Sequence, residues 1–472
     1  MTKEHHGDAP LLPDGSPDGA ARSVGAPDGP DSVPLTPQQH SLLRDAIAHP
    51  GTGRYVEQLV WRWHGPLDTG RFTRAWQAVF DRERVLRAAF DVRGEPRIVL
   101  YENARAEVVR HAAGTVAWDE LVERDRLRGF DLGRPGLLRI TLVDEPPAPA
   151  GPATTRILLT HHHVLLDGWS VVVLLQEFYR AYLAGGELPG GERRPDIRDY
   201  TRWLAAQDTG PAREFWSRAM TGTAPALTPV RPGPGTGNSG PGRAAARLCA
   251  AEAERLRTWA AGHAATEAGA LQAVWAILLY RAGGARGPSP VGFGVAVSGR
   301  GIPLDVAERL PGLLMNVLPM TIQVAPAQGV ALLLAQLRDL TLDMAAYEWV
   351  SLEQIHAWSG RPAAGQLLDS VLVFAHYPRM ADGLETALAA QDIRVSPPGA
   401  VGAPAAYPVV LLARRDADGG LALTAVHDRG RIADAGQLLS ECAWLLRELP
   451  RTADDTTVGD ILRLLAEQPP VD

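Results

Sequence analysis

The sequence predicts a mixed α/β (α+β) protein that is built from two lobes of similar size. The chain has 472 residues, which is long for a single hydrophobic core. Residues 224–243 are rich in proline and glycine, are unsuited to a helix or a central strand, and divide the chain almost equally. Strand-like and helical patterns occur in both halves. We therefore expect an N-terminal lobe at residues 33–223 and a C-terminal lobe at residues 244–472, joined by this linker.

The composition is that of a globular protein, with 46% hydrophobic and 21% charged residues. Residues 1–32 are rich in proline, glycine and aspartate and lack periodicity, which predicts a disordered tail. The net charge of -7 disfavours nucleic-acid binding, because such binding neutralises phosphates. No apolar run reaches the roughly 20 residues of a membrane helix, and the N-terminus lacks a hydrophobic signal core. We expect a cytoplasmic monomer with neither a nucleic-acid nor a membrane partner.

The residues required by several cofactor chemistries are missing or misplaced. Lys3 is the single lysine of the chain and lies in the predicted tail. A pyridoxal Schiff base or a phosphate-binding P-loop needs a lysine at the site, so both are excluded. Cys249 and Cys442 are too few and too isolated for a disulfide framework or a thiolate metal site. We therefore expect no permanently bound cofactor and no metal.

The first half begins with a predicted strand and helix. Alternating residues predict a strand over residues 56–64, in which Leu59, Trp61 and Trp63 share one face. Asp68 is a candidate N-cap for the helix that follows. The buried face of that helix is predicted from helical spacing to consist of Phe72, Ala75, Trp76, Val79 and Phe80. Further patterns predict strands over residues 98–101, 137–143 and 156–163 and an amphipathic helix over residues 170–182.

The second half predicts the same mixture of elements. Helical patterns cover residues 251–263, 266–283, 329–346 and 434–448. Strand patterns cover residues 291–297, 313–323, 369–375, 407–413 and 420–426. Two lobes of such similar composition are compatible with a pseudo-dimer.

The segment ILLTHHHVLLDGWS at residues 157–170 holds the main candidate for a catalytic group. If the strand continues through the histidines, His161 and His163 share one face and His162 points the other way. The strand would end at the Asp-Gly turn signal that starts with Asp167, where a helix begins and presents free N–H groups. A neutral His163 imidazole at this place can take a proton from an attacking amine or hydroxyl, or hold that nucleophile in position.

The residues alone leave other roles open for this segment. Asp167 lies in an apolar neighbourhood and needs a cationic partner, which one of the many arginines can supply. His161, His163 and Asp167 are also conceivable as a zinc site. No glutamate or cysteine stands at a supporting spacing, so we favour proton transfer over metal binding. A short spacing of this kind is common by chance, and the motif on its own decides little.

The run HHVLLDGWS from His162 to Ser170 resembles the signature of nonribosomal peptide synthetase condensation domains, which belong to the chloramphenicol-acetyltransferase-like superfamily. Seven further segments resemble motifs of the same family in the same order. These segments start at Leu35 (LTPQQHSLL), Asp81 (DRERVLRAAF), Asp199 (DYTRW), Val291 (VGFGVAVSGR), Pro311 (PGLLMNVLP), Tyr347 (YEWVSL) and Asp369 (DSVLVF). Their joint occurrence by chance is negligible.

The resemblance implies a fold of two chloramphenicol-acetyltransferase-like lobes in a V-shaped pseudo-dimer, with the active site in a tunnel at their junction. His163, the second histidine of the pair, would be the catalytic residue. Asp167 would be structural, with Arg300 as its partner. Gly168 would place a backbone N–H near the reacting thioester, and Asn316 would lie close to the tunnel. The remaining supporting residues that the matched motifs supply are His162, Trp169 and Ser298.

The implied function is the transfer of an acyl or aminoacyl group from a carrier-protein phosphopantetheine thioester to an amine or alcohol, which forms an amide or ester. The 4′-phosphopantetheine arm presents the substrate and is not a resident cofactor. The sequence contains no recognisable carrier attachment site, so we expect a free-standing enzyme with a separate carrier protein and a small-molecule or carrier-bound acceptor. Arg193, Arg194, Arg198 and Arg202 are candidates for carrier docking. The alternatives are an acyl-CoA-dependent acyltransferase of the same superfamily and a non-catalytic carrier-docking module.

Overall fold

A computed structural model of the chain describes residues 31–147, 151–188, 190, 194–220, 240–361, 367–375, 381, 383–401, 407–432 and 434–467. Most of the predicted tail and most of the predicted linker lie outside these ranges. Both predictions extend too far at one end. Ser32 belongs to a strand rather than to the tail, and Pro241 begins a strand rather than continuing the linker.

The strands in the described part of the chain agree closely with the period-two patterns. In chain order they are β1 (Ser32–Pro34), β2 (Val56–His64), β3 (Ala88–Asp91), β4 (Arg97–Leu100), β5 (Glu107–His111), β6 (Leu138–Asp144), β7 (Thr154–His162), β8 (Pro241–Leu248), β9 (Ser289–Val297), β10 (Asn316–Val324), β11 (Ser370–Phe374), β12 (Arg394–Val395), β13 (Gly399–Val401), β14 (Val409–Arg415) and β15 (Leu421–Asp428). Strand β10 starts at Asn316, three residues after the start of the strand predicted over residues 313–323.

Helices were predicted at six places and each lies close to the predicted residues, whereas the other helices that the structure describes had no predicted counterpart. In chain order they are α1 (Pro37–Ala48), α2 (Thr69–Arg82), α3 (Trp118–Arg128), α4 (Gly168–Leu183), α5 (Ile197–Ala205), α6 (Thr209–Ala219), α7 (Ala250–Gly262), α8 (Glu267–Ala282), α9 (Val330–Ala345), α10 (Leu352–Trp358), α11 (Leu384–Ala389), α12 (Ala435–Glu448) and α13 (Val458–Glu467). Asp68 caps α2 as predicted, because its Oδ1 accepts the Arg71 N–H at 3.0 Å. The predicted apolar face of α2 is fully buried.

Two sheets with separate hydrophobic cores organise the described residues. The first has the order β12-β2-β7-β6-β5, with β13 also paired to β2, and the second has the order β10-β9-β11-β14-β15-β8. A three-stranded sheet, β1-β4-β3, adds to the first half. Strand β8 lies at an edge of its sheet, which is where a strand that starts with Pro241 is tolerated. Each sheet packs its own cluster of buried side chains, so the mixed α/β class is confirmed.

Residues 384–401 cross from the second half of the chain to the first sheet. Strand β12 pairs antiparallel with β2 through Arg394 opposite His64, and β13 pairs with β2 through Ala400 opposite Leu59. Helix α11 buries Leu388 in the N-terminal core. The predicted C-terminal lobe of residues 244–472 is therefore not one contiguous unit. The crossing segment pairs with the outer edge of β2, whose backbone groups would otherwise have no strand partner.

None of the helices in the described ranges is both long enough and apolar enough to span a bilayer.

Candidate active site

The His162–Ser170 run forms a tight turn between β7 and α4. Strand β7 ends at His162, so the predicted continuation of the strand to Asp167 is wrong. Backbone hydrogen bonds give the reason, because the His163 N–H donates to the Tyr55 carbonyl at 2.7 Å and the Leu165 N–H turns back to the His162 carbonyl at 3.0 Å. Strand alternation therefore does not set the direction of the His163 side chain; the turn does.

The turn determines which nitrogen of His163 carries the proton. Nδ1 of His163 lies 2.9 Å from the carbonyl oxygen of Leu166. A carbonyl only accepts hydrogen bonds, so the neutral imidazole holds its proton on Nδ1. Its Nε2 then carries a lone pair, and no described residue hydrogen-bonds to Nε2. His163 is half-buried, and it therefore offers one oriented proton acceptor.

The two preceding histidines are buried and neutral. Burial, followed by the proximity of His163, lowers the pKa of His161 and that of His162 to about 3. Nδ1 of His162 accepts the Val164 N–H at 3.2 Å, which helps to hold the turn. The ring of Phe130 packs edge-on against His162, with centroids 6.4 Å apart. His162 therefore supports the position of the turn and takes no proton at neutral pH.

Asp167 is an anchor between the two halves of the chain. Its carboxylate is fully buried and forms an ion pair of 2.9 Å with Arg300, the partner that the motifs predicted. Its oxygens also accept the N–H groups of Ser170, Leu314 and Met315 at 2.8–3.0 Å. Burial opposes ionisation, but the Arg300 charge and these hydrogen bonds outweigh it and lower the pKa of Asp167. The carboxylate is therefore fully occupied by structural contacts.

Arg300 reaches Asp167 from the end of β9 through a turn that requires glycine. Gly299 has a φ of +66°, and a Cβ at this position would lie 1.9 Å from the Leu314 carbonyl oxygen. The Ser298 hydroxyl accepts the Arg300 N–H at 3.2 Å, and the Ser298 carbonyl accepts the guanidinium at 3.0 Å. Ser298 thus holds Arg300 in position through its hydroxyl and its carbonyl.

Gly168 and Trp169 form the first turn of α4, directly after the anchor. Gly168 is the first helical residue, so its N–H is one of those that a helix leaves without an intrahelical partner. The Trp169 indole N–H donates to the Glu308 carbonyl at 2.7 Å. The Arg300 guanidinium lies 5.4 Å from the centre of the indole ring. The structure therefore places Gly168 and Trp169 at the Asp167–Arg300 pair, directly after the turn that holds His163.

Asn316 has a different position from the other predicted residues. Its amide is buried and donates to the carbonyls of Glu348 and Val350 at 2.9 and 2.6 Å, while its oxygen accepts the Val317 N–H at 2.9 Å. These bonds use its polar atoms to hold the segment before α10. We assign Asn316 a role in positioning that segment.

Sequence reasoning missed the contribution of Gln39. Its side chain is buried, and its amide donates to the Val164 carbonyl at 3.0 Å, inside the turn that holds His163. Its oxygen accepts the Thr36 N–H at 3.0 Å and completes a capping box of α1. The capping pattern was visible in the sequence, but the contact with Val164, 125 residues away, has no local signal.

Glu348 is a second residue that was missed. Its Oε1 accepts the Gly301 N–H at 2.7 Å, beside the Arg300 turn. Burial raises the pKa of this carboxyl. The segment YEWVSL drew attention to this region, but nothing in the sequence assigned Glu348 a contact.

The zinc alternative is not supported by the geometry. Among the residues that the structure describes, no three His, Cys, Asp or Glu side chains form a group able to hold a metal ion. His161, His163 and Asp167 therefore do not converge as ligands.

Comparisons with known sequences agree with the motif analysis. The profile of a protein family described as "Condensation domain" matches residues 30–428. Chondramide synthase of Chondromyces crocatus is 30% identical over 370 residues, which cover 76% of this chain and 9% of that protein. Surfactin synthase subunit 3 of Bacillus subtilis is 27% identical over 361 residues, which cover 74% of this chain and 27% of that protein. The chain thus spans a small part of these relatives.

Solved structures show the same fold. The condensation domain from Monacolin K polyketide synthase MokA has a TM-score of 0.73 at 17% identity, covering 90% of this chain and 99% of that one. The first condensation domain of the calcium-dependent antibiotic synthetase, in complex with a substrate analogue, has a TM-score of 0.71 at 20% identity, covering 91% of this chain and 98% of that one. Because the family profile covers most of the chain, this protein belongs to the condensation domain family of nonribosomal peptide synthesis, whose domains catalyse amide-bond formation.

Proposed function

We propose that this chain condenses a carrier-bound acyl or aminoacyl thioester with an amine or alcohol acceptor, at Nε2 of His163. The observation that carries the proposal is the hydrogen bond from His163 Nδ1 to the Leu166 carbonyl, which leaves Nε2 as the proton acceptor. Such a base, held in one tautomer beside a helix N-terminus, suits acyl transfer to a neutral nucleophile.

The proposed reaction proceeds in two steps. The acceptor N–H or O–H donates its hydrogen bond to Nε2 of His163, and its lone pair attacks the thioester carbonyl as the proton moves to Nε2. The Gly168 N–H, free at the start of α4, stabilises the negative oxygen that forms. The carbon–sulfur bond then breaks, and the proton passes to the leaving thiolate. The products are an amide or ester and the free phosphopantetheine thiol.

The proposed donor is a separate peptidyl or acyl carrier protein, whose 4′-phosphopantetheine arm enters the tunnel that the resemblance implies. The acceptor is a small molecule or a second carrier-bound unit, and the chain acts as a monomer. The arginines suggested for docking give little support. Arg193 lies outside the described residues, Arg194 and Arg198 pair with Glu177 and Asp31, and Arg202 pairs with Asp199. Among the three described arginines, Arg202 has the most exposed side chain, at 73%, although it also pairs with Asp199.

The test is a transfer assay with carrier proteins that are loaded with acyl or aminoacyl phosphopantetheine. Propylamine and 1-propanol, which share one carbon skeleton, serve as acceptors, and products are measured by mass spectrometry. We expect acyl transfer to at least one acceptor. His163→Ala should lower the rate by about 10²–10⁴-fold, the usual contribution of a general base. His40→Ala, which changes an exposed histidine on α1, is the matched control and should retain the wild-type rate.

Other outcomes separate the alternatives. Faster turnover of free acyl-CoA than of the loaded carrier would identify the acyl-CoA-dependent transferase. Carrier binding without transfer to any acceptor would identify the docking module. A folded His163→Ala variant with undiminished turnover would contradict the catalytic role of His163.

A further inference from the structure

A largely apolar cavity of about 370 Å³ opens beside Trp169, in the first turn of α4. Its walls come from α8, α9 and the ends of β9, β10 and β11. The apolar side chains that form most of the wall are Leu271, Val295, Leu318, Met344, Leu372 and Phe374. The family motifs drew attention to all three of these strands, but no role was assigned to the space between them and the helices.

The cavity shares residues with the site. Trp169, Ser298 and Met315 are part of its lining, and each of them contacts the Asp167–Arg300 pair. The Met315 N–H donates to Asp167, Ser298 accepts from Arg300, and the Trp169 ring lies under the guanidinium. The cavity therefore borders the first turn of α4 and the Asp167–Arg300 pair, a few residues after His163.

The lining contains few polar groups. The Glu348 carboxyl lies at the wall, where its Oε1 accepts the Gly301 N–H, and burial raises its pKa. Gln272, Thr341 and Ser298 are uncharged. The volume falls at the lower end of the range of about 300–1,000 Å³ that is typical of ligand pockets. Such a space suits an uncharged hydrocarbon group with the size of a branched alkyl chain or one phenyl ring.

We propose that this cavity is a specificity pocket that receives an uncharged apolar substituent of one of the two condensing substrates. The inference rests on the proposed condensation activity, because it takes the reacting centre to lie at His163. The same chemistry can come from the donor acyl group or from the acceptor side chain, and the experiment has one arm for each source.

The pocket can be filled without touching the catalytic turn. Ala268 on α8 and Ala345 at the end of α9 both line the cavity. Ala268→Phe places a ring in the space, and Ala345→Phe adds one at its exposed rim. Ala346→Phe adds the same ring at the next residue, which is exposed and does not line the cavity, and is the matched control.

The kinetic experiment measures kcat/KM in two series. In the donor arm, the carrier bears acetyl, isovaleryl or phenylacetyl groups and the acceptor is constant. In the acceptor arm, the donor is constant and the acceptor is methylamine, isobutylamine or phenethylamine. Each methylene that enters an apolar pocket is worth about fourfold, so in one arm the wild type should prefer the larger groups by about 10–100-fold. The two filling variants should lose this preference and stay within about threefold of the wild type on the smallest group.

Binding without turnover separates this proposal from the condensation activity. The probes are the pantetheine amides of phenylacetate and acetate, in which an amide replaces the reactive thioester, together with phenethylamine and methylamine. We expect the wild type and Ala346→Phe to bind the larger member of one pair at least tenfold more tightly, and Ala268→Phe to bind both members equally. Equal binding of large and small probes by the wild type in both pairs would overturn the pocket, whether or not condensation is observed. So would a folded Ala268→Phe variant that keeps the full preference.

Discussion

At the residue scale, the proposed chemistry depends on one hydrogen bond. The Leu166 carbonyl holds the Nδ1 proton of His163 and leaves Nε2 to meet the acceptor. His161 and His162 stand next to it but are neutral and buried, because desolvation lowers the pKa of each to about 3. Three adjacent histidines thus have different roles, and the difference comes from burial and from the turn rather than from residue type.

The Asp167–Arg300 pair has a structural role, since it is a buried ion pair that joins the two halves of the chain. Asp167→Ala should lower the free energy of unfolding by about 3–5 kcal/mol, because it leaves the Arg300 guanidinium buried without its counter-ion. The double variant Asp167→Ala, Arg300→Met should recover part of this loss. Urea denaturation followed by circular dichroism measures all three proteins.

An exposed pair serves as the comparison for that prediction. Arg44, whose side chain is 70% exposed, pairs with Glu353 at 2.7 Å. Arg44→Ala should change the free energy of unfolding by no more than about 1 kcal/mol. If Asp167→Ala unfolds like the wild type but is inactive, then Asp167 takes part in the chemistry and its assignment as an anchor is wrong.

At the element scale, the site depends on the junction of β7 with α4. The chain leaves the sheet at His162, turns within five residues and starts α4 with Asp167 as the N-cap. Asp167 thus ends the turn, caps the helix through Ser170 and holds Arg300 from the other half. A strand followed at once by a capped helix is a local feature, whereas the contact with Arg300 joins residues 133 positions apart.

The crossing segment at residues 384–401 is the second element on which the N-terminal sheet depends. Leu388 is 1% exposed in the N-terminal core although it lies in the second half of the chain. Leu388→Ala should destabilise the protein by about 2–5 kcal/mol through the cavity that it leaves. Leu332→Ala, at a position that is 54% exposed on α9, should change stability by no more than about 0.5 kcal/mol. Equal midpoints for the two variants in urea denaturation would show that the crossing segment does not stabilise the fold.

At the scale of the whole molecule, stability should depend on pH through Glu83. Burial, opposed by the Arg194 charge and reinforced by that of Glu177, raises the pKa of this carboxyl to about 7. The unfolded chain ionises Glu83 near pH 4, so between about pH 4 and 7 the unfolded state holds fewer protons than the folded state. The folded protein therefore loses stability as the pH rises through this window, by at most about 4 kcal/mol.

Glu83→Gln should remove this contribution, because glutamine is neutral at every pH. The difference in unfolding free energy between the variant and the wild type should grow in favour of the variant from pH 4.5 to 7.5, as measured by urea denaturation at each pH. Glu385→Gln, which changes an exposed glutamate on α11, should follow the wild-type curve. A constant difference between Glu83→Gln and the wild type across this range would contradict the raised pKa of Glu83.

Local patterns predicted many of the elements. Residue spacing gave the apolar face of α2, its Asp68 cap and the ranges of α7, α8, α9 and α12. Such spacing reports which side of an element is buried, but not what covers it. The extent of β7 was overestimated for a related reason. Residues 163–166 are as apolar as a strand. The place where the strand stops is shown only by its pairing with β2, in which His162 is opposite Val56, the first residue of β2.

The sequence by itself determined the mixed α/β class and the condensation-domain family, predicted the contact of Asp167 with Arg300, and indicated His163 as the candidate base. These conclusions rest on short motifs and periodicities, whose physical cause lies within a few residues. Only the tertiary structure decided the proton position on His163, the crossing of residues 384–401 and the apolar cavity beside Trp169. Each of these depends on contacts between residues that are distant along the chain or on a turn whose hydrogen bonds are made in three dimensions, and side-chain spacing does not encode such contacts.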